Sequence, residues 1–239
     1  TREGAPILQG AADMHVGMSN LHYEHNDLKT ASECLLASQS LGELAGLRQN
    51  PYRWRAAMAR IRQAEGDLDG ALQLLDEAER VYDGNFSPNV RPVTTRKVRV
   101  WLAQGRLGEA LDWARRQGLS AENELSYLRE FDHITLARML LACHQHDRVD
   151  VSIAEIVKFL ECLLNNAEKG GRKGSAIEIL ILQALVHYAQ DDLPVALLPL
   201  QHALGLAEPE GYVRIFLDEG KSMMELLREA SAQKIMPDY

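Results

Sequence analysis

The sequence predicts an all-α chain, a right-handed superhelical solenoid of stacked helix pairs, and three observations carry that prediction. One six-residue phrase returns along the chain: Asn26-Asp27-Leu28-Lys29-Thr30-Ala31, Gly66-Asp67-Leu68-Asp69-Gly70-Ala71, Gly105-Arg106-Leu107-Gly108-Glu109-Ala110 and Asp191-Asp192-Leu193-Pro194-Val195-Ala196. The alanine closing each phrase moves by 40, 39 and then 86 residues, and the last step leaves room for a degenerate copy around residues 137–167. A fixed period of this size marks helix pairs each too small to bury an apolar face alone. Hydrophobic content is 46% while aromatic content is only 6%, so the core is mostly Ala and Leu, which favour helix.

Residues 59–78 show how one pair is built. They read as the end of a helix, a tight Gly-Asp-Leu-Asp turn and the start of a second helix. Ala59, Ala71 and Ala78 fall where antiparallel helices must approach closely. Leu68, Leu72 and Leu75, spaced by four and three, supply the buried stripe. Asp67 or Asp69 is placed to accept hydrogen bonds from the free N–H groups that open the second helix.

Taken in order, the first hairpin covers residues 8–47, after Gly4 and Pro6, with Gly42 and Gly46 near its end. Pro51 opens the second as a helix-start proline, and that hairpin ends at Tyr82-Asp83-Gly84-Asn85, before a two-proline loop at 87–92. The third spans 94–117 and is followed by a polar connection at 118–123. A fourth pair spans 125–167, broken near His146-Asp147-Arg148. The turn Lys169-Gly170-Gly171-Arg172-Lys173-Gly174 leads to the fifth, 175–207. Residues 1–207 are thus five hairpins of about 40 residues. In the fifth, Pro194 suits a first helical turn. Pro199 removes an internal bond at a cost of about 3 kcal/mol, so a kink is expected there. Residues 208–239 form a turn, a short apolar segment and a final helix at 221–233. Its stripe of Met224 and Leu227, with Met223 beside them, is expected to cap the open end of the stack. The ending Pro237-Asp238-Tyr239 carries no domain-ending signal, so the chain reads as a piece of a longer protein.

Bulk properties narrow the function. A formal net charge of −8 argues against direct nucleic-acid binding. The longest aliphatic stretch, 177–186, is interrupted by Glu178 and Gln183, which argues against a membrane span. Cys34, Cys143 and Cys162 form no C-x-x-C pair, and a reducing, cytoplasmic setting is expected. Cys143-His144-Gln145-His146-Asp147 offers two ligands on one helical face where a structural zinc site needs four, so no metal is expected. The turn at 169–175 has glycines and cations but neither the Gly-Lys-Ser/Thr order nor the preceding strand of a phosphate loop, and reads as an inter-hairpin turn. His15, Ser19 and His22 share one face as groove or packing residues. No catalytic constellation is present, so the chain is not expected to be an enzyme.

The hairpin phrase resembles the tetratricopeptide repeat (TPR), stretched to about 40 residues. The run Ser175-Ala-Ile-Glu-Ile-Leu-Ile-Leu-Gln-Ala-Leu185 and the tail Leu206-Ala-Glu-Pro-Glu-Gly-Tyr-Val-Arg-Ile-Phe-Leu-Asp-Glu-Gly220 are similar to the MalT-like large ATP-binding regulators of the LuxR family. So are the opening His22-Tyr-Glu-His-Asn-Asp-Leu28 and the stretch from Arg62 through Glu79. The resemblance implies the helical sensor region of such a bacterial regulator, between an N-terminal P-loop ATPase module and a C-terminal helix-turn-helix. ATP and promoter DNA would then belong to the parent's other parts, because the chain has no phosphate-loop motif; residues 208–239 would lead toward the DNA-binding domain. Implied partners are a small-molecule effector or a regulatory protein, together with self-association of the parent.

Laid on the repeat, the first helix of each pair lines a concave wall. Arg60, Arg99 and Arg138 each follow a small packing residue (Ala59, Val98, Ala137) and stand 39 and 39 apart. Asn20, Tyr23, Gln63, Glu178 and Tyr188 occupy neighbouring positions. An arginine file of this kind either grips an anionic effector bidentately or pairs with carboxylates on adjacent repeats. The expected function is effector sensing and protein interaction, coupled to self-association and promoter activation. The alternative is a stand-alone TPR-like scaffold that binds a peptide or helix of another protein.

Overall fold

Tight turns organise the chain, and they share one backbone device. Asn26, Gly66, Gly105, Gly171 and Asp191 all take positive φ, at 62°, 86°, 71°, 65° and 58°. The next N–H then bonds back five residues: Asp27 to the His22 carbonyl, Asp67 to Arg62, Arg106 to Trp101, Arg172 to Ala167 and Asp192 to His187, at 2.8–3.1 Å. This left-handed closure satisfies carbonyls that a helix end leaves open. The same residue begins the following helix. Asp27, Asp67 and Asp192 accept from the N–H groups of Thr30, Gly70 and Val195 at 3.0, 2.9 and 3.3 Å. Asp67, rather than Asp69, is therefore the cap of its helix. The closing alanines Ala31, Ala71, Ala110, Ala176 and Ala196 are all buried, where the returning helix comes closest.

The computed structural model describes residues 8–42, 45–84, 89–146 and 152–235. Gly4, Pro6, Asn85, Ser87, Asp147, Arg148 and the ending Pro237-Asp238-Tyr239 lie outside them. Among the described residues every regular element is helical. The α-helices are α1 (Ala11–Glu24), α2 (Leu28–Ser40), α3 (Asn50–Ala64), α4 (Leu68–Val81), α5 (Val93–Ala103), α6 (Leu107–Arg116), α7 (Glu130–Gln145), α8 (Ile153–Lys169), α9 (Lys173–Tyr188), α10 (Leu193–Ala207), α11 (Arg214–Leu217) and α12 (Lys221–Ala232). Of the consecutive helices, α1 packs on α2, α3 on α4, α7 on α8 and α9 on α10. No helix among the described residues is long and apolar enough to cross a membrane.

The chain divides into two compact units, Thr1–Val100 and Trp101–Tyr239. In the first, α1 packs on α2, α3 on α4, and α3 on both helices of the preceding pair. Val16, Tyr23, Ala31, Leu35, Ala57 and Ile61 form one core cluster. Tyr52, Ala59, Ala71, Leu75, Ala78, Val93 and Val100 form a second, with Leu68 and Leu72 packed against it. The expected close-approach alanines and leucine stripe are thus in the core. Directed polar bonds fix how the pairs meet: Trp54 Nε1 donates to the Leu35 carbonyl at 2.8 Å, and Asp13 accepts from the Leu47 N–H at 2.7 Å and from Arg53 at 3.2 Å. Pro51 lies in the first turn of α3, as its missing N–H favours.

In the second unit α9 is the central element, buried from Ala176 to Val186 and packed by α7, α8, α10 and α12. A helix apolar on all sides finds its place in such surroundings. Ser152 and Glu155 form a capping box at the start of α8. The glycine turn at 169–174 joins α8 to α9, between hairpins as expected. Its backbone nevertheless matches the turns within hairpins, a copy the 40-residue period does not anticipate. α10 runs through Pro199 as one helix. The capping stripe differs from expectation. Met223, Leu226 and Ala230 are buried, Leu227 is half-buried and Met224 is 44% exposed. The spacing of three and four is kept, but the buried face is rotated by one residue, the face that α12 turns to α9 and α10 being chosen by packing.

Candidate functional site

The residues expected to bind divide between the units. In the first, α1 presents Asn20 on its surface and Tyr23 in the core, while α3 carries Arg60 and Gln63, both half-buried. Arg60 is stacked over the Tyr23 ring, Cζ 4.1 Å from the centroid, and its Nη2 donates to Glu24 at 2.7 Å. Cation–π stacking and an ion pair to the preceding repeat thus aim the guanidinium along the α1–α3 seam. Of the face expected to hold His15, Ser19 and His22, Ser19 is buried and His22 lies 3.8 Å from Asp27.

Arg96, a residue the period alone did not select, is influenced by other cations of the first unit. Arg96 and Arg99 lie three apart on α5 and therefore on one face. Arg91 precedes the helix, and Arg96 Nε donates to its carbonyl at 3.3 Å. Burial, together with the charges of Arg91, Arg60 and Arg99, pushes the Arg96 guanidinium down to about 9, and Tyr52 acts in the opposite sense. None of the strongest influences on Arg96 is a carboxylate. Its neighbour Lys97 is treated differently. Lys97 turns to α4, where Asp76 and Glu79 hold it at 2.6 and 2.5 Å; burial lowers its pKa, but hydrogen bonds to those two carboxylates raise it further, above the usual lysine value. Tyr52 meets Tyr82 at a tilt of 55° with centroids 4.9 Å apart. The signal available in the sequence was the i, i+3 pair Arg96 and Arg99; the register of the file drew attention to Arg99 alone.

In the second unit Arg138 on α7 donates to Glu178 on α9 at 3.0 Å and to Glu219, ahead of α12. Glu178 and Glu219 are both buried or nearly so. Burial by itself would lower the Arg138 pKa, but Glu219 and Glu178 more than offset it and hold the guanidinium firmly charged. Glu178 stands 40 residues after Arg138, the repeat distance, so a carboxylate in the next pair occupies the arginine's own position. Tyr188 donates its hydroxyl to Glu225 at 2.7 Å, and that bond first, with burial second, raises its pKa. Arg172 is likewise engaged, by Glu130 at 2.6 Å and by the Asn166 carbonyl at 2.6 Å. Its guanidinium passes so close to Gly170 that a Cβ there would lie 1.5 Å from Nη1, so the glycine of that turn serves the arginine's path.

The two arginine environments differ in kind. Arg138 is matched by two carboxylates of its own chain, which leaves little charge to offer a ligand. Arg96 is influenced by like charges and has a neutral carbonyl as its bonded acceptor.

Comparison with known proteins places the chain by sequence. The profile of a family described as the MalT-like TPR region matches residues 2–233. No curated protein matches the chain. Two crystal structures of a Podosopora anserina protein assigned as a kinesin light chain, with nearly identical TPR-like repeats, are similar to it. One, a single-substitution form, is 16% identical, with a TM-score of 0.46 and coverage of 84% of this chain and 98% of that one. The other is 16% identical, with a TM-score of 0.44 and coverage of 82% and 95%.

Proposed function

Because the chain belongs to the family of MalT-like TPR regions, we propose that it is the effector-sensing and protein-interaction region of a bacterial LuxR/MalT-type transcription regulator. The family match over nearly the whole length carries this reading. In it, a small-molecule effector or a regulatory protein binds the faces presented by the first helices of the pairs, and the parent self-associates and activates its promoter. ATP and DNA are handled by other parts of the parent, in the cytoplasm. Binding shifts the parent between states only as far as the effector's affinity differs between them. Packed helix pairs suit that task, since a ligand spanning two pairs favours one arrangement of their seam over another.

The test is a thermal-shift screen against neutral sugars, nucleotides, aromatic acids and organic phosphates, with sedimentation of each hit. A ligand that binds the folded form raises Tm with dose. A hit that also changes self-association supports the sensing role, and a panel without hits at millimolar concentration removes it. The second reading, a scaffold for a partner's peptide or helix, is favoured by one observation. Arg60 and Arg138 already spend bonds on Glu24, Glu178 and Glu219, as structural seams between repeats do.

A further inference from the structure

We propose that the outward face of α1 is a docking surface for a further helix pair of the same repeat class, supplied by the parent chain and standing before α1 as α1 and α2 stand before α3. The proposal goes beyond effector sensing and rests only on the reading of the chain as one region of a longer protein. Met14, Met18 and Leu21 are 70%, 45% and 61% exposed. With Gly17 they lie on one side of α1, at helical spacings of three and four. No atom of the described residues lies within 4 Å of where a Cβ on Gly17 would stand. A glycine inside a helix weakens it relative to alanine, and no close approach within the described residues accounts for this one.

The same four positions, 40 residues on, are Trp54, Ala57, Met58 and Ile61 of α3. All four are in use. Ala57 and Ile61 share a core cluster with Val16, Tyr23, Ala31 and Leu35 of the pair before them, and Trp54 and Met58 pack against it. At the next step, 39 residues on, Val93 and Val100 of α5 join the core of α3 and α4. Between them Lys97 reaches Asp76 and Glu79 on α4. The stripe is therefore the side by which a first helix in this unit seats on the preceding pair, and α1 presents that side to the surface. Its polar edge agrees, since Arg60 bonds back to Glu24 while its counterpart Asn20 is exposed. The chemistry of the occupant follows from the seam it continues. It is a helical hairpin with apolar side chains at the counterparts of Val16, Tyr23 and Leu35, and with its closing alanine about 40 residues before Ala31. Both seams of this kind in the first unit are made within one polypeptide, which favours a preceding segment of the parent over a second copy.

The experiment compares the oxidation of Met14 and Met18 by dilute hydrogen peroxide in the 239-residue chain and in the full-length parent, read by peptide mass spectrometry. A methionine peptide added to both samples is the reference. The two methionines should oxidise at least about fivefold more slowly in the parent, because a thioether packed in a seam is shielded from a dissolved oxidant. Leu21→Glu should restore the fast rates in the parent, since a carboxylate is not accommodated in an apolar seam. Leu36→Glu, at a 58% exposed position of α2, should leave them slow. Both substitutions should leave the helicity of the 239-residue chain unchanged, and loss of helicity with Leu21→Glu would show that the stripe is not a free surface and overturn the proposal. Equal rates in the two proteins overturn it, as do slow rates that survive Leu21→Glu, fast rates in Leu36→Glu, or a parent gene that encodes no helix pair ahead of residue 1. Slow oxidation that sets in with concentration in the 239-residue chain, together with a dimer in sedimentation, also overturns it and assigns the face to a second copy. The sensing reading fails separately. If the parent protects Met14 and Met18 but no effector alters its sedimentation, the seam stands and sensing falls; if an effector does so while the methionines oxidise equally fast in both proteins, the reverse holds.

Discussion

His133 shows how a single side chain ties this fold to solution conditions. It is fully buried on α7, edge-on to Phe159 at 6.2 Å, with Nδ1 3.0 Å from the Arg129 carbonyl. A carbonyl only accepts, so the neutral ring carries its proton on Nδ1. Burial pushes the histidine pKa down, and the bond to the Arg129 carbonyl pulls the other way without offsetting it. The folded-state value therefore lies below the unfolded one, and the unfolded chain binds more protons on the acid side. The stabilisation is complete above about pH 6.5 and is lost as pH falls toward and through the folded value. Tm should drop between about pH 7 and pH 5, and His133→Gln should drop less. Equal losses in the two proteins would show that other groups govern the acid side. The turn residues teach a similar lesson. Asp67 was one of two candidate caps in the sequence, and only the register of α4 selects it.

At the scale of elements, α12 is the clearest case. Its sequence offers Met223, Met224, Leu226 and Leu227, so two overlapping stripes satisfy a helical period equally well. The structure buries Met223 and Leu226 and leaves Met224 44% exposed. Leu226→Ala should cost about 3 kcal/mol through lost transfer energy and the cavity it leaves. Met224→Ala should stay within about 0.5 kcal/mol. Urea unfolding of both variants reads the difference directly, and a reversed order would show that the other face is the buried one. The α8–α9 turn is the complementary case. It repeats the left-handed closure and the buried alanine, Ala176, of the hairpin turns, but its Lys-Gly-Ser filling hides the likeness in the sequence.

At the scale of the molecule, each unit is held by helix pairs that close on local turns and then share an apolar seam. In the second unit that seam is α9, enclosed on several sides, whereas α1 in the first exposes Met14, Met18 and Leu21. Opening α9 requires opening its neighbours as well, so the amides of residues 177–186 should exchange slowest of all. Hydrogen exchange followed by mass spectrometry tests this, and faster exchange there than in α1 would refute it.

The sequence by itself determined the all-helical class, the tight turns, the closing alanines and the repeat length, because each depends on neighbours within one turn or one hairpin. It also carried the family. The candidate binding residues were legible only in part: the period found Arg60, Arg99 and Arg138 but treated them alike. Tertiary structure decided that Arg138 meets Glu178 and Glu219 and that Arg60 leans on Tyr23 and Glu24. A side chain's charge is written in the sequence. Whether that charge is met, stacked or opposed depends on groups that come from distant stretches of chain and meet only when helices pack.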